Sequence, residues 1–174
     1  MRNEITNEIR IYVACLAAYN NGRLHGAWID ATQELEDIQQ QISAMLASSP
    51  VAGAEEYAIH DHEGFDGYSV GEYEGIKAVH EIALFIEERP EFGGKLLEHF
   101  GDVESASMAA EEDYCGCHRS LADYAQELTE ETTEIAESLR HYIDYESMAR
   151  DMQLGGDVFT IESGYQQVHI FWNR

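Results

Sequence analysis

Net charge constrains this chain more than any other property of its sequence. Asp and Glu number 34 against 10 Lys plus Arg, a formal charge of −24 in 174 residues. Such a surplus normally keeps a chain unfolded, because like charges repel and too little apolar surface is available to offset them. Here the apolar supply is ordinary: hydrophobic residues make up 44% and aromatics 10% of the sequence. The chain can therefore build a core, and any fold it adopts must carry dense negative charge on its outside.

That balance excludes several function classes. Nucleic-acid binding requires clustered Lys and Arg to replace counterions on phosphates, and only two lysines, Lys77 and Lys95, are present. Attachment to anionic membranes is disfavoured for the same reason. The longest apolar run, Ile11 to Tyr19, is far shorter than the roughly 20 residues a membrane span needs. Glu4 and Glu8 near the amino terminus argue against a leader peptide. Cys15, Cys115 and Cys117 form an odd set without a disulfide framework. A cytoplasmic protein is expected, one domain by length or two to three very small ones sharing a core, with basic partners, metal cations or a high-salt medium as the remaining explanations of the charge.

The acids are unevenly placed. Residues 1–30 are neutral overall, whereas no Lys or Arg lies between Arg23 and Lys77. That tract holds Asp30, Glu34, Glu36, Asp37, Glu55, Glu56, Asp61, Glu63, Asp66, Glu72 and Glu74. A second tract from Asp102 to Glu137 is equally acidic and contains Arg119 as its one base. Both are interleaved with apolar residues, the pattern of outer faces of folded elements.

Periodicity supports an α+β chain. Residues 9–19 read as a strand ending at the hairpin signal Asn20-Asn21-Gly22, with Leu24–Ile29 returning antiparallel. Asp30 or Thr32 can cap a helix through Ala47 whose apolar stripe is Leu35, Ile38, Ile42, Met45 and Leu46. Tyr57–His60 is a third strand. Ser69 and Glu72 have capping-box spacing ahead of a helix carrying Ile76, Val79, Ala83 and Ile86, stopped by Pro90. A short helix over Lys95–Phe100 follows. Beyond the small and acidic residues 102–116, Ser120 caps one helix and Asp144 another through Met152. Val158–Glu162 and Tyr165–Phe171 close the chain as a hairpin around Ser163-Gly164.

The helix after Ser120 carries the clearest physical message. Leu121, Ala125, Leu128 and Ile135 share a face, and Asp123, Glu127, Glu130 and Glu134 form a stripe opposite them. Like charges four residues apart destabilise a helix by roughly 0.2–0.5 kcal/mol per pair. A sequence shaped by stability alone would place Lys among them. Rows of carboxylates imitate the phosphates of a duplex, and two copies of the chain would match the charge of about 24 base pairs. The charge pattern thus points to a mimic of DNA that meets the Lys and Arg of a DNA-binding protein. Glu34, Asp37, Asp61, Glu63, Asp66, Glu72, Asp123, Glu127, Glu130 and Glu134 are its candidate phosphate-like carboxylates.

The run Ile11-Tyr12-Val13-Ala14-Cys15-Leu16-Ala17-Ala18-Tyr19-Asn20-Asn21-Gly22-Arg23-Leu24-His25-Gly26-Ala27-Trp28-Ile29 resembles the amino-terminal motif of ArdA-type antirestriction proteins. Glu56-Tyr57-Ala58-Ile59-His60-Asp61, Tyr142-Ile143-Asp144-Tyr145-Glu146 and Ala149-Arg150-Asp151 extend the resemblance through nearly the whole chain. It implies an elongated chain of three small subdomains: a sheet with a helix (1–66), a short-helix bundle (67–104), and acidic helices with a closing hairpin (105–174). It further implies a homodimer that mimics bent duplex DNA and occupies the DNA channel of type I restriction-modification enzymes, at their specificity and methyltransferase core. Such proteins are carried by mobile genetic elements and act in the bacterial cytoplasm. Met108, Ala109 and Ala110 are apolar candidates for the dimer contact.

Other readings are weaker. Acids are too plentiful for any pair to mark a hydrolase, and no G-x-S-x-G, P-loop or H-E-x-x-H occurs, so an enzyme is not expected. His60-Asp61-His62-Glu63 and Cys115-Gly116-Cys117-His118 gather ligand types without finger or EF-hand spacing, so neither a metal nor a cofactor is expected. Halophilic adaptation does not explain tracts beside a neutral amino-terminal segment. An acidic adaptor or inhibitor of another basic, DNA-binding protein is the alternative that shares the electrostatics.

Overall fold

A β-branched run with alternating burial must lie inside a sheet, and Arg10–Cys15 (β1) does so. In the computed structural model of the chain, which describes residues 8–174, β1 is the centre of a sheet. It pairs antiparallel with β2 (Gly26–Asp30) on one side and β3 (Tyr57–Glu63) on the other. Glu4, used above against a leader peptide, lies outside the described residues. Contacts divide the chain into two compact units, one up to His99 and one over Phe100–Arg174. The fold is α+β, with a three-stranded antiparallel sheet in each unit.

In the first unit Ile11, Val13 and Cys15 point from β1 into the core, beside Ile29 and Ile59. Helices α2 (Leu35–Ala47) and α3 (Ile76–Glu88) cover that face, with Ile38, Ile42 and Met45 from one and Val79, Ile82 and Ile86 from the other. The sequence expectation of one strand over 9–19 is corrected. β1 stops at Cys15, and Leu16–Asn20 form a short helix, α1. Leu and Ala there favour helix, and Asn21-Gly22 serves as its stop, with Gly22 at φ 72°. The return strand starts later, at Gly26, where the Val13 carbonyl and the Tyr12 ring leave no room for a Cβ.

Two expected caps are not used. Asp30 Oδ1 accepts from the backbone N–H and hydroxyl of Thr32 at 2.8 and 2.7 Å, closing a turn after β2, and α2 begins at Leu35. Glu72 does not cap a helix either. Glu74 instead accepts from Gly71 N–H and the Tyr68 hydroxyl, and α3 starts after Gly75. Helix α4 (Gly93–Phe100) begins two residues earlier than expected, because Gly93 and Gly94 are buried at its start.

In the second unit the strand order is β4 (Tyr114–His118), β6 (Gln167–Trp172), β5 (Val158–Gly164), all antiparallel. Strand β4 was not expected: Cys115-Gly116-Cys117 lacks β-forming bulk, and Gly116 sits at φ 97° where the pairing shifts register. Before it come α5 (Val103–Met108) and a π-helical turn, Ala109–Asp113. The closing hairpin turns at Tyr165-Gln166, two residues past the expected Ser163-Gly164, with Gln166 at φ 54°. Helices α6 (Leu121–Thr132) and α7 (Tyr145–Leu154) pack on each other and on the sheet, where Tyr124, Val158 and Ile170 form a core with Leu121, Leu128, Met152 and Trp172. His169 is fully buried between the Tyr114 and Ser163 hydroxyls at 2.8 and 2.9 Å.

Candidate functional site

Among the described residues every Asp and Glu except Glu74 and Asp113 is exposed. The acids left over from core formation have become the surface. The cations are mostly held by a nearby acid: Arg10 on Glu63 at 2.7 Å, Arg89 on Glu88 at 2.9 Å, Arg140 on Glu137 at 3.3 Å and Lys77 on Glu81 at 3.9 Å. Positive charge at these positions is thereby offset locally.

Strand register builds one acidic face in the first unit. Arg10 stands opposite both Asp30 and Glu63, and Tyr12 opposite both Trp28 and Asp61. Directly opposed residues share a face, so Asp30, Asp61 and Glu63 flank Tyr12 and Trp28 on the side away from the core. Arg10 lies 4.8 Å from the Trp28 ring centre, which fixes the guanidinium while it binds Glu63. Near the end of β3, Asp61 and Glu72 meet at an open cavity of about 500 Å³ that also includes Tyr19 and His60. His60 reaches Glu72 at 3.7 Å and packs edge-on against Tyr19. Asp66 is exposed in a left-handed turn at φ 47°.

Glu34 and Asp37 are exposed at the start of α2, where the helix dipole favours them. The acids do not continue along that helix, whose outer residues are Gln39, Gln40 and Gln41.

On α6 the expected row is partly assembled. Asp123, Glu127 and Glu130 are exposed on one stripe, and Glu127 reaches His118 Nδ1 at 3.3 Å. Glu134 is exposed but lies beyond the helix, which stops at Thr132, and Ile135 is likewise outside it. The Thr132 hydroxyl bonds back to the Leu128 carbonyl at 2.7 Å and Thr133 is extended. Such back-bonding Thr residues compete with helix propagation. Ser120 caps the helix as expected, accepting from Asp123 N–H at 3.0 Å.

Sequence reasoning passed over Glu81, Glu87 and Glu88 on the outer face of α3, together with Asp151 and Asp157 near the end of the chain. The helical period of α3 was the available signal, since these acids fall between its apolar positions. Asp102 and Asp144, which cap α5 and α7, have carboxyls held below the usual range by hydrogen bonds from Ser105 and Ser147. Burial and the Cys115 thiol push the Tyr124 hydroxyl up. Of the expected dimer residues, Met108 is exposed, Ala110 half-buried and Ala109 buried. Among the described residues no group of three or more His, Cys, Asp or Glu could hold a metal ion, and no helix is long and apolar enough to cross a membrane.

No curated protein matches the sequence. The family described as Antirestriction protein (ArdA) matches residues 11–167, nearly the full length of both units. The chain belongs to the ArdA antirestriction family.

Proposed function

We propose that the protein is a mimic of duplex DNA that occupies the DNA-binding channel of type I restriction-modification enzymes and so blocks them without catalysis. The observation that supports this most is the placement of charge: carboxylates cover both units while nearby acids hold most of the cations. Lys and Arg that line a DNA channel would meet carboxylates in place of phosphates, and long-range attraction would speed encounter. A cytoplasmic homodimer, carried on a mobile element and built from subdomains over 1–66, 67–104 and 105–174, is part of the same proposal. Met108 and Ala110 are the contact residues left accessible. If Ala110→Glu leaves the mass by light scattering unchanged, that contact is wrong.

The test is competition. Labelled duplex is bound to a type I methyltransferase core, and the protein is titrated in at about 50 mM and about 300 mM salt. Displacement that weakens at the higher salt is the expected result. No displacement by a folded sample would remove this target, and the alternative, an acidic inhibitor of another basic DNA-binding protein, would be pursued by pull-down.

A further inference from the structure

A cavity of about 420 Å³ opens in the second unit beside Asp113, lined among others by Tyr124, Trp172, Glu127 and Glu131. Oδ1 of Asp113 is buried there with no hydrogen-bond donor aligned on it among the described residues. Yet Nε of Arg174 stands only 2.6 Å away. The two groups form an ion pair whose N–H alignment is poor. Another of its nitrogens turns to the Glu112 carbonyl at a long 3.4 Å. The two partners are unequally held, since the Asp113 side chain is 14% exposed and that of Arg174 is 67% exposed.

A mostly buried carboxylate needs a cation, and the cation it has, Arg174, is two-thirds exposed and so open to replacement. The surroundings define which. A guanidinium carries forked, planar N–H groups that suit a carboxylate and a flat face that stacks on aromatic rings. Tyr124 is buried in the core of this unit and Trp172 packs against that core, so both walls belong to the packed interior. Glu127 and Glu131, both exposed, add negative charge to the lining. Arg174 is itself an intramolecular example of the cation such a cavity would take, seated with imperfect geometry.

We propose that this cavity is a receptor for a guanidinium group, that Arg174 covers it in the free protein, and that an arginine side chain of a basic protein partner replaces Arg174 on binding. The inference rests on the proposed function for the nature of the partner, and on this chain alone for the cavity.

N-acetyl-argininamide is titrated into the full chain and into its Arg174→Ala variant at constant ionic strength. Binding is followed by the Trp172 indole N–H resonance, made unambiguous by Trp28→Phe in both proteins. The expected result is a saturable shift, at least about tenfold tighter without Arg174, and markedly weaker with N-acetyl-lysinamide. Adding Asp113→Asn to the Arg174→Ala protein should remove it. No saturable shift in Arg174→Ala, or an equal response to the lysine compound, would overturn the receptor. Should Asp113→Asn fail to fold, the ligand's own δ-methylene protons decide. Stacking on Trp172 shifts them upfield, and unshifted protons exclude that seat. The titration contains no restriction enzyme, so the two readings fail separately. Saturable arginine binding with no duplex displacement removes the proposed target and keeps the cavity, and the reverse removes the cavity alone.

Discussion

At the scale of single residues, the acids divide into those with a local structural task and those without one. Asp144 belongs to the first group. Its carboxylate accepts from the backbone N–H and the hydroxyl of Ser147 at 3.0 and 2.7 Å, and its pKa is lowered by those bonds. A depressed folded-state pKa means that the cap stabilises above the ordinary aspartate value, about 3.9, and loses that effect as pH falls through the lowered one. Asp144→Ala should therefore lower the melting temperature at pH 7, and the gap from the parent should shrink below about pH 4. Thermal melts by circular dichroism across pH 2–8 check this, and a gap that is constant with pH would contradict the assignment. Gly94 is a position where a single methyl group matters. A Cβ there would strike the backbone oxygens of Phe65 and Asp66, which lie in the loop after β3 against the start of α4. Gly94→Ala should cost about 1–3 kcal/mol through forced displacement, measured by urea unfolding. Gly53, with open space at its Cβ position but φ 74°, is a useful contrast in which backbone strain acts alone.

At the scale of elements, α6 joins a cap, a core stripe and an acidic stripe. Ser120→Ala should cost about 1 kcal/mol, seen as reduced stability with the fold retained. Neutralising one of Asp123, Glu127 or Glu130 should leave antirestriction activity nearly intact, because exposed charges are individually weak. Reversing Asp123, Glu127, Glu130 and Glu131 together should weaken it strongly. Complete loss from one substitution in a folded protein would contradict a distributed surface. Much of this element was legible beforehand: the apolar stripe and the Ser120 cap follow from spacing alone. Its end was not, because Thr129 and Thr132 act through hydroxyl bonds to the preceding turn, which periodicity does not register. Strand β4 was hidden for a related reason. It owes its place to β6, with Tyr114 opposite Phe171 and Cys117 opposite His169, and not to its own composition. The candidate carboxylates were readable as exposed, since acids rarely enter a core unpaired. Their assembly was not, because the face shared by Asp30, Asp61 and Glu63 depends on pairing between strands far apart in sequence.

At the scale of the whole molecule, a net charge of −24 links stability and binding with opposite signs. Salt screens the repulsion within the folded chain and also the attraction to a basic partner. Raising NaCl from about 20 to about 300 mM should raise the melting temperature while weakening duplex displacement, the Debye length shrinking several-fold over that interval. A melting temperature indifferent to salt would mean that the repulsion is already offset within the structure. The sheet of the first unit adds a further consequence. β2 and β3 border the sheet, with the β3 border taken at one point by the Glu72 carbonyl, which accepts from Ile59 N–H at 2.9 Å, and their outward residues include Asp30, Asp61 and Glu63. Ionised side chains at open edges keep a strand of another molecule from adding to the sheet. As the medium approaches the isoelectric point of about 4.4, that guard is withdrawn from both borders together. Acid precipitates of this protein should then bind thioflavin and show intermolecular β-sheet absorbance, which would make the acidic coat a protection against amyloid-like growth.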